Sequence, residues 1–336
     1  MTLIRIILKR LLSMSITLIG VAVIVFFIIR IVPGNPIAMM LPPGAGEEDI
    51  ARLKALYGFD KTLPEQFLIW VRGILGGDFG TSITSRQPVM SLVLGRLPAT
   101  LELSIMALVM AVMIGGTLAL IGTRQRGGKA EALIDVTNGV SLSVPDFLWG
   151  LLFILLFGVL WPVFHISGRV SPALDLPFVT NFYLFESLLR LRFDIWLDLV
   201  SHMFMPALAL AIPLAAIIAQ LLKQSLKETM HLDYATLART KGYSENHVIL
   251  REALPNAILP TLTLVGVQFT FLIGGTVIIE RLFSYEGLGN MAIDAVINRD
   301  LPLIQGIVIL FAVIFTTVNL LVDLTYALLN PRLRHG

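Results

Sequence analysis

Residues 103–122 read LSIMALVMAVMIGGTLALIG, twenty residues without a charge. At 1.5 Å per residue such a helix is about 30 Å long, the thickness of a bilayer's hydrocarbon core. Five more uncharged runs surround it: Leu11 to Ile29, Phe147 to Phe164 (extending back past Asp146 to Val136), Met203 to Leu222, Ala257 to Ile279, and Leu301 to Val322. The 336 residues are 56% hydrophobic and only 14% charged, with a mean hydropathy of +0.84. A water-soluble fold cannot hide that much apolar surface, so a cytosolic enzyme and a disordered regulator are excluded. Lys and Arg (25) barely exceed Asp and Glu (23), which leaves no basic footprint for nucleic acid. The absence of cysteine removes disulfides, thiolate metal sites and a cysteine nucleophile. The expected class is an all-α integral membrane protein with six transmembrane helices, its surroundings membrane lipid.

The first run follows Arg5, Lys9 and Arg10 as a signal peptide would, but it is 19 residues long and leads into Pro33-Gly34-Asn35-Pro36 without a small-residue cleavage site. It reads as a retained span. Alternating loops then set the sidedness. The N-terminus, residues 123–132, 223–256 and the tail hold 13 Lys/Arg in 60 residues, against 12 in the 126 residues of the opposite side. The denser side is cytoplasmic by the positive-inside rule, so both termini are expected inside.

The outer segments carry helical patterns. Glu47, Glu48 and Asp49 precede Ile50, Leu53, Leu56 and Tyr57, with Gly58 as a stop. Pro64 suits a first helical turn, followed by Phe67, Leu68, Val71, Ile74 and Leu75 up to Gly76-Gly77. Phe182 to Trp196 suggests another interfacial helix. A platform for an external partner and a cap over the membrane helices are both compatible with these patterns.

Catalytic groups are scarce. His165, His202, His231, His247 and His335 show no pairing at ligand spacing, so no metal site is expected. Residues 122–130 look superficially like a phosphate loop but have one glycine too many and end in Ala130. No bound cofactor is expected, and the chain is not read as an enzyme. Inside the spans, Glu102 and Asp323 read as end-anchors, while Asp146, beside Pro145, is either a helix-break cap or a pathway residue. Gly115-Gly116, Gly274-Gly275, Pro206, Pro213, Pro260 and Pro302 permit close helix approach or local breaks.

The cytoplasmic loop 223–256 is the richest segment. Asp233 is a candidate N-cap; Tyr234, Leu237 and Ala238 share a face; Lys241 falls in the last turn and Gly242 can end the helix. Ser244 can cap a second helix bearing Val248, Ile249 and Ala253, ending near Leu254-Pro255. Ala235 and Ala238 are small enough to admit a partner. A solvated loop and a docking element both fit this pattern.

The run Asp233-Tyr234-Ala235-Thr236-Leu237-Ala238-Arg239-Thr240-Lys241-Gly242, followed by Arg251-Glu252-Ala253-Leu254-Pro255-Asn256, resembles the loop by which permeases of ABC importers meet their ATPases. The likeness is greatest to the dipeptide/oligopeptide/nickel branch, and most of all to its dipeptide permeases. Further matching segments are Arg30 to Pro36, Gly77 to Ser82, Arg96 to Leu103, Gly287-Leu288-Gly289 after Glu280, and Asn319 to Leu324 leading to Asn330-Pro331-Arg332. Against the family pattern, Gly242, Leu254, Pro255 and Ala238 match. Thr236 and Leu237 replace the usual Glu and Ala, and Glu252 replaces an Ile.

The resemblance implies a type I ABC importer transmembrane fold in a bacterial inner membrane, with extracytoplasmic helical insertions. On that basis residues 1–97 would form the first helix plus an outer segment, 98–329 the transport domain and 330–336 a cytoplasmic tail. The subunit would import peptides, or alternatively nickel or another small solute, as half of a heterodimer with a related permease. Its other partners would be two cytoplasmic ATPases, which use ATP and Mg, and an extracytoplasmic solute-binding protein. The coupling residues would be Asp233, Tyr234, Ala235, Thr236, Leu237, Ala238, Arg239, Lys241, Gly242, Arg251, Leu254 and Pro255. Gly274, Gly275, Asp146 and Glu280 are candidates for the pathway or for helix packing.

Overall fold

A computed structural model describes residues 3–31, 46, 60–174, 176 and 178–329. The expected helix through residues 47–57, the Pro33 to Pro36 motif and the tail from Asn330 lie outside the described residues. Among the described residues the chain is helical, with a single isolated bridge between Thr81 and Pro88. In order the helices are α1 Leu3–Ile31, α2 Leu63–Leu75, α3 Val89–Arg124, α4 Lys129–Ser143, α5 Asp146–Phe153 and α6 Tyr183–Leu189. Then come α7 Phe193–Thr229, α8 Asp233–Thr240, α9 Leu254–Leu282, α10 Leu288–Ile297 and α11 Leu301–Leu329. Five of these are long and apolar enough to cross a membrane, and six spans result when the bent α4–α5 pair counts as one. The all-helical membrane class thus follows directly.

The bend corrects the expected straight third span over 136–164. Here α4 and the α5 segment, which continues as a π-helical stretch Ile154–Leu160, meet at 101°. Pro145 lacks an N–H and its ring disfavours helical geometry at the preceding residue, so Val144 is extended (φ −97°, ψ 121°). Asp146 restarts the helix and accepts the N–H of Phe147 at 2.8 Å.

A second correction concerns residues 182–200. The expected single interfacial helix is divided: α6 stops at Leu189, Leu191 takes a positive φ of 54°, and α7 begins at Phe193. Trp196 therefore belongs to the long membrane helix. Asp194 in the first turn of α7, paired with Arg192 at 2.7 Å, places negative charge where a helix N-terminus favours it.

Met1–Ile7, Pro98–Asn290 and Val318–Gly336 group into one compact unit, Leu8–Leu97 and Met291–Thr317 into another. In the first, α7 is central: 67% of its apolar window is buried. Ala99, Leu103, Ala107 and Ala111 form an i, i+4 row on α3 and pack with Met203, Ala207, Ala211 and Ala215 of α7. Small residues let the backbones approach. A Cβ on Gly115 would lie 2.5 Å from the Ala215 carbonyl oxygen, whereas one on Gly116 would meet nothing within 4 Å.

In the second unit, Phe26 of α1 is fully buried, with its ring 5.1 Å from Phe67 and 5.7 Å from Trp70 of α2. Helix α2 starts as its sequence suggests, with Pro64 in the first turn and Glu65 reaching back to the Thr62 N–H at 3.1 Å, and it ends at Gly76. Buried Asp300 joins two segments. Its carboxylate accepts the Ser82 hydroxyl (2.5 Å) and the Thr84 N–H (3.0 Å), and it caps α11 through the Leu303 N–H (3.3 Å).

In the first turn of α6, Glu186 gathers the segment that precedes the helix. Its carboxylate accepts the Thr180 hydroxyl at 2.5 Å and the N–H groups of Val179 (2.9 Å) and Thr180 (2.8 Å), and Arg190 pairs with it. These contacts, the Thr180 hydroxyl first, hold the carboxyl down at about 2, against an ordinary 4.5. The folded-state value is depressed, so the stabilisation is complete above about 4.5 and lost as pH falls through about 2. We predict that pepsin cleavage at Phe182 to Leu184 stays slow at pH 4 and accelerates only towards pH 2. In Thr180→Ala the acceleration should begin at a higher pH. Cleavage with the same pH profile in both proteins would contradict this.

Candidate functional site

The loop between α7 and α9 is built from short elements that lock one another. Leu232, not Asp233, is the N-cap residue of α8. Asp233 instead sits in the first helical turn, where its charge faces the helix N-terminus without a capping hydrogen bond. At the other end, Gly242 has φ +82°. Its N–H donates to the Arg239 carbonyl (2.9 Å), and the Tyr243 N–H donates to that of Ala238 (3.3 Å). This reciprocal pair is a Schellman termination, and its left-handed residue carries a steric cost for anything with a Cβ. Ser244 then caps the next turn, Glu245–His247, by accepting the His247 N–H, and a π-helical turn Val248–Ala253 leads into α9 with Pro255 in its first turn.

Packing inverts one expectation. Ala235 and Ala238 are buried, 0% and 4% exposed, against Val248 and the ring of Tyr234. They are small because α8 lies close on the π-helical turn, not because they receive a partner. Arg239 reinforces that closure: its guanidinium donates to Glu245 at 2.7 Å and to the Met230 carbonyl at 3.0 Å, tying α8 to the helices on either side. Asn256 donates to the Tyr234 hydroxyl at 3.2 Å. Below the pair, Leu222, Leu226 and Met230 pack with Ile249, Ala253 and Ala257 and with Ala119 of α3. The loop is thereby wedged into the ends of three membrane helices.

What remains outward is a face with Thr236, Leu237, Thr240, Lys241 and Tyr243 exposed. Leu237 and Tyr243 are 55% and 49% exposed, and Leu232 and Leu250, each 50% exposed, add to the loop's apolar surface. The Tyr243 ring stacks on His247 with centroids 4.3 Å apart. Arg251 is also exposed, Leu254 is half-buried, and Pro255 is exposed. The arrangement can take up a push or pull on its exposed face and pass it to α7 and α9 as a body.

The other predicted positions divide. A Cβ on Gly275 would lie 3.9 Å from the Asp146 carboxylate, so the structure brings these two together at the bend of the third span; Gly274 meets nothing within 4 Å. Glu280 is wholly buried and acts in packing. Its carboxylate accepts the Thr100 hydroxyl (2.7 Å) and the N–H groups of Gly289 (2.7 Å) and Asn290 (3.1 Å), capping the start of α10. Gly287 and Gly289 are required there, since a Cβ on Gly287 would run into that carboxylate and one on Gly289 would lie 2.5 Å from the Val277 Cα.

Two arrangements go beyond the sequence reading. Glu102 is no end-anchor at the water interface. It is 6% exposed, accepts from Arg169 at 2.7 Å and from the Leu184 N–H at 2.8 Å, and so holds α6 to α3. Arg169, itself 7% exposed, also donates to the Asn181 carbonyl (2.6 Å) and lies over the Tyr183 ring. Its distance in sequence from Glu102 hid the pair. The histidines show no ligand spacing along the chain, but the fold brings two of them together: His165 and His202 stack with ring centroids 3.9 Å apart, and Asp198 joins them. Only the Asp198 to His202 spacing of four, one helical face, was visible in the sequence.

The family model of the binding-protein-dependent transport system inner membrane component matches residues 95–335, and that of its N-terminal part matches residues 3–104. The chain is 36% identical to the dipeptide transport system permease protein of Escherichia coli over 333 residues, 98% of each chain. It is likewise 36% identical to the di/tripeptide transport system permease protein of Pseudomonas aeruginosa, over 95% of each. The glutathione transport system permease protein of Salmonella typhimurium is 33% identical over 98% of each. With up to six candidate spans among the described residues and a wedged loop between α7 and α9, this chain belongs to the family of inner membrane components of binding-protein-dependent transport systems.

Proposed function

We propose that the chain is the peptide-translocating half of an ATP-driven importer. It would pair with a second, related permease, two cytoplasmic ATPases and an extracytoplasmic binding protein that delivers di- or oligopeptides. ATP and Mg would be bound by the ATPases. The carrying observation is the exposed face of α8 and the turn that follows it, with Leu237 and Tyr243 outward and Ala235 and Ala238 clamped inward on Val248. A partner that moves this face moves α7 and α9 with it, because Leu226, Met230, Ile249 and Ala253 are packed as one cluster.

Only contacts that differ between the importer's states can drive a transition, so the loop matters through differential docking rather than tight binding. Asp233, Thr236, Leu237, Lys241, Tyr243 and Arg251 would form the ATPase-facing surface. Ala235, Ala238, Arg239, Gly242, Leu254 and Pro255 would set its shape. The basic residues concentrated on this side support cytoplasmic termini, with residues 1–97 forming the first helix and outer segment, 98–329 the transport domain and 330–336 the tail. The names of the relatives support peptide as cargo.

The test is reconstitution. Expression with its neighbouring transport genes should yield a complex holding two ATPase chains, and proteoliposomes should take up a labelled dipeptide only with ATP and binding protein. Uptake by the isolated chain on a proton gradient, or uptake of nickel but no peptide, would overturn the reading.

A further inference from the structure

The transport reading leaves unused one cluster of chemistry-bearing side chains. His165 follows the π-helical stretch, and Asp198 and His202 stand one turn apart near the start of α7. One ligand-capable atom from each lies within 4.8 Å of the others. His165 is exposed, Asp198 half-buried and His202 buried.

Hydrogen bonding around the cluster selects the tautomers. The His202 Nδ1 lies 2.9 Å from the Asp198 backbone carbonyl, which can only accept, so it carries the proton. The His165 Nδ1 lies 2.9 Å from the Ser201 hydroxyl. That hydroxyl already donates its proton to the Asp198 carbonyl at 2.8 Å. It must accept from His165, which is therefore also protonated at Nδ1. Each ring is left with a bare Nε2 lone pair, and each Nδ1–H is anchored as in metal-binding histidines, where the second nitrogen donates to a carbonyl, carboxylate or other outer partner. Asp198 is positioned in turn by Ser171, whose N–H (2.8 Å) and hydroxyl (2.6 Å) donate to its two carboxylate oxygens.

We propose that His165, His202 and Asp198 form a binding site for a divalent cation of borderline softness, of the Zn²⁺, Ni²⁺ and Cu²⁺ class. Two imidazoles and one carboxylate are the donor set these ions take, whereas Ca²⁺ and Mg²⁺ require an oxygen shell. Tetrahedral zinc with bonds of about 2.0–2.1 Å holds its ligand atoms about 3.3 Å apart, so the cluster must tighten on binding. The exposed His165 supplies that movement by leaving the stack and giving up its Ser201 hydrogen bond, while buried His202 and braced Asp198 stay fixed. The ion would clip the segment after the π-helical stretch to the head of α7, a staple independent of the nucleotide-driven machinery.

The probes are Zn²⁺ and Co²⁺, titrated into the chelator-stripped, tag-free importer complex. Competition with a chelating dye should show one more saturable zinc per complex in the wild type than in His165→Ala, with affinity in the micromolar range. Co²⁺ should give visible d–d bands that the variant lacks. Asp198→Asn should weaken zinc at least tenfold, and both variants should remain assembled by size exclusion. Equal zinc stoichiometry and affinity in wild type and both variants, or no saturable binding at all, would sink the site.

Discussion

Replacing Arg169 with methionine is expected to destabilise the protein more than any other single substitution in its outer segment. The partner left behind, Glu102, is 6% exposed and would keep only backbone donors, the N–H groups of Leu184 and Phe185. Removing one member of a buried ion pair costs about 3–5 kcal/mol, because the remaining charge is desolvated without compensation. The same principle predicts that the double variant Glu102→Leu with Arg169→Met recovers most of the loss, short of about 1–3 kcal/mol for the Leu184 N–H that loses its acceptor. Arg169→Lys should recover part of the loss, since a single guanidinium nitrogen, Nη2, meets both Glu102 and the Asn181 carbonyl and one ammonium can take both contacts, while the planar stacking over the Tyr183 ring is lost. The measurement is the thermal inactivation midpoint of the assembled complex in detergent across these four proteins. A single variant as stable as wild type, or a double variant worse than the single, would show that the pair does not hold α6 in place.

The second large effect is expected in transport rather than stability. Gly242 ends α8 at φ +82°, and a Cβ built there meets nothing within 4 Å, so any penalty is conformational. Holding an L-residue in the left-handed region costs about 1–2 kcal/mol, and more for a β-branched one. That shifts the population of the correctly terminated helix by about 5–30-fold. Gly242→Val should therefore insert and assemble normally, keep ATP hydrolysis, and lose most peptide uptake. Gly242→Asn, which tolerates left-handed geometry, should retain far more uptake than Val. The readout is the ratio of peptide imported to ATP hydrolysed in proteoliposomes. If Val and Asn behaved alike, the Schellman geometry would not be what the loop needs.

Much of this architecture is legible in the amino-acid order. Uncharged runs set where the spans lie because a bilayer tolerates no unpaired charge over about 20 residues. The loop's turns were visible too: Gly242 is left-handed, Ser244 caps, and Pro255 opens α9, each a local property of one residue type. Where expectations failed, the deciding term was not local. Pro145 promised a break but not its 101° angle, and Ala235 and Ala238 looked like a docking surface until α8 was seen closed on Val248.

Spans and turn chemistry thus follow from the sequence by itself, because hydropathy and backbone preference act over a few residues. Tertiary structure alone decided that Glu102 meets Arg169, that Glu280 caps α10, and that His165 stacks on His202. Each of those pairings joins residues far apart in the chain or on separate elements, the first two through buried polar contacts and the third through a ring stack. Its partner is chosen by which side chains the folded bundle leaves within about 3 Å, and that no spacing along the chain encodes.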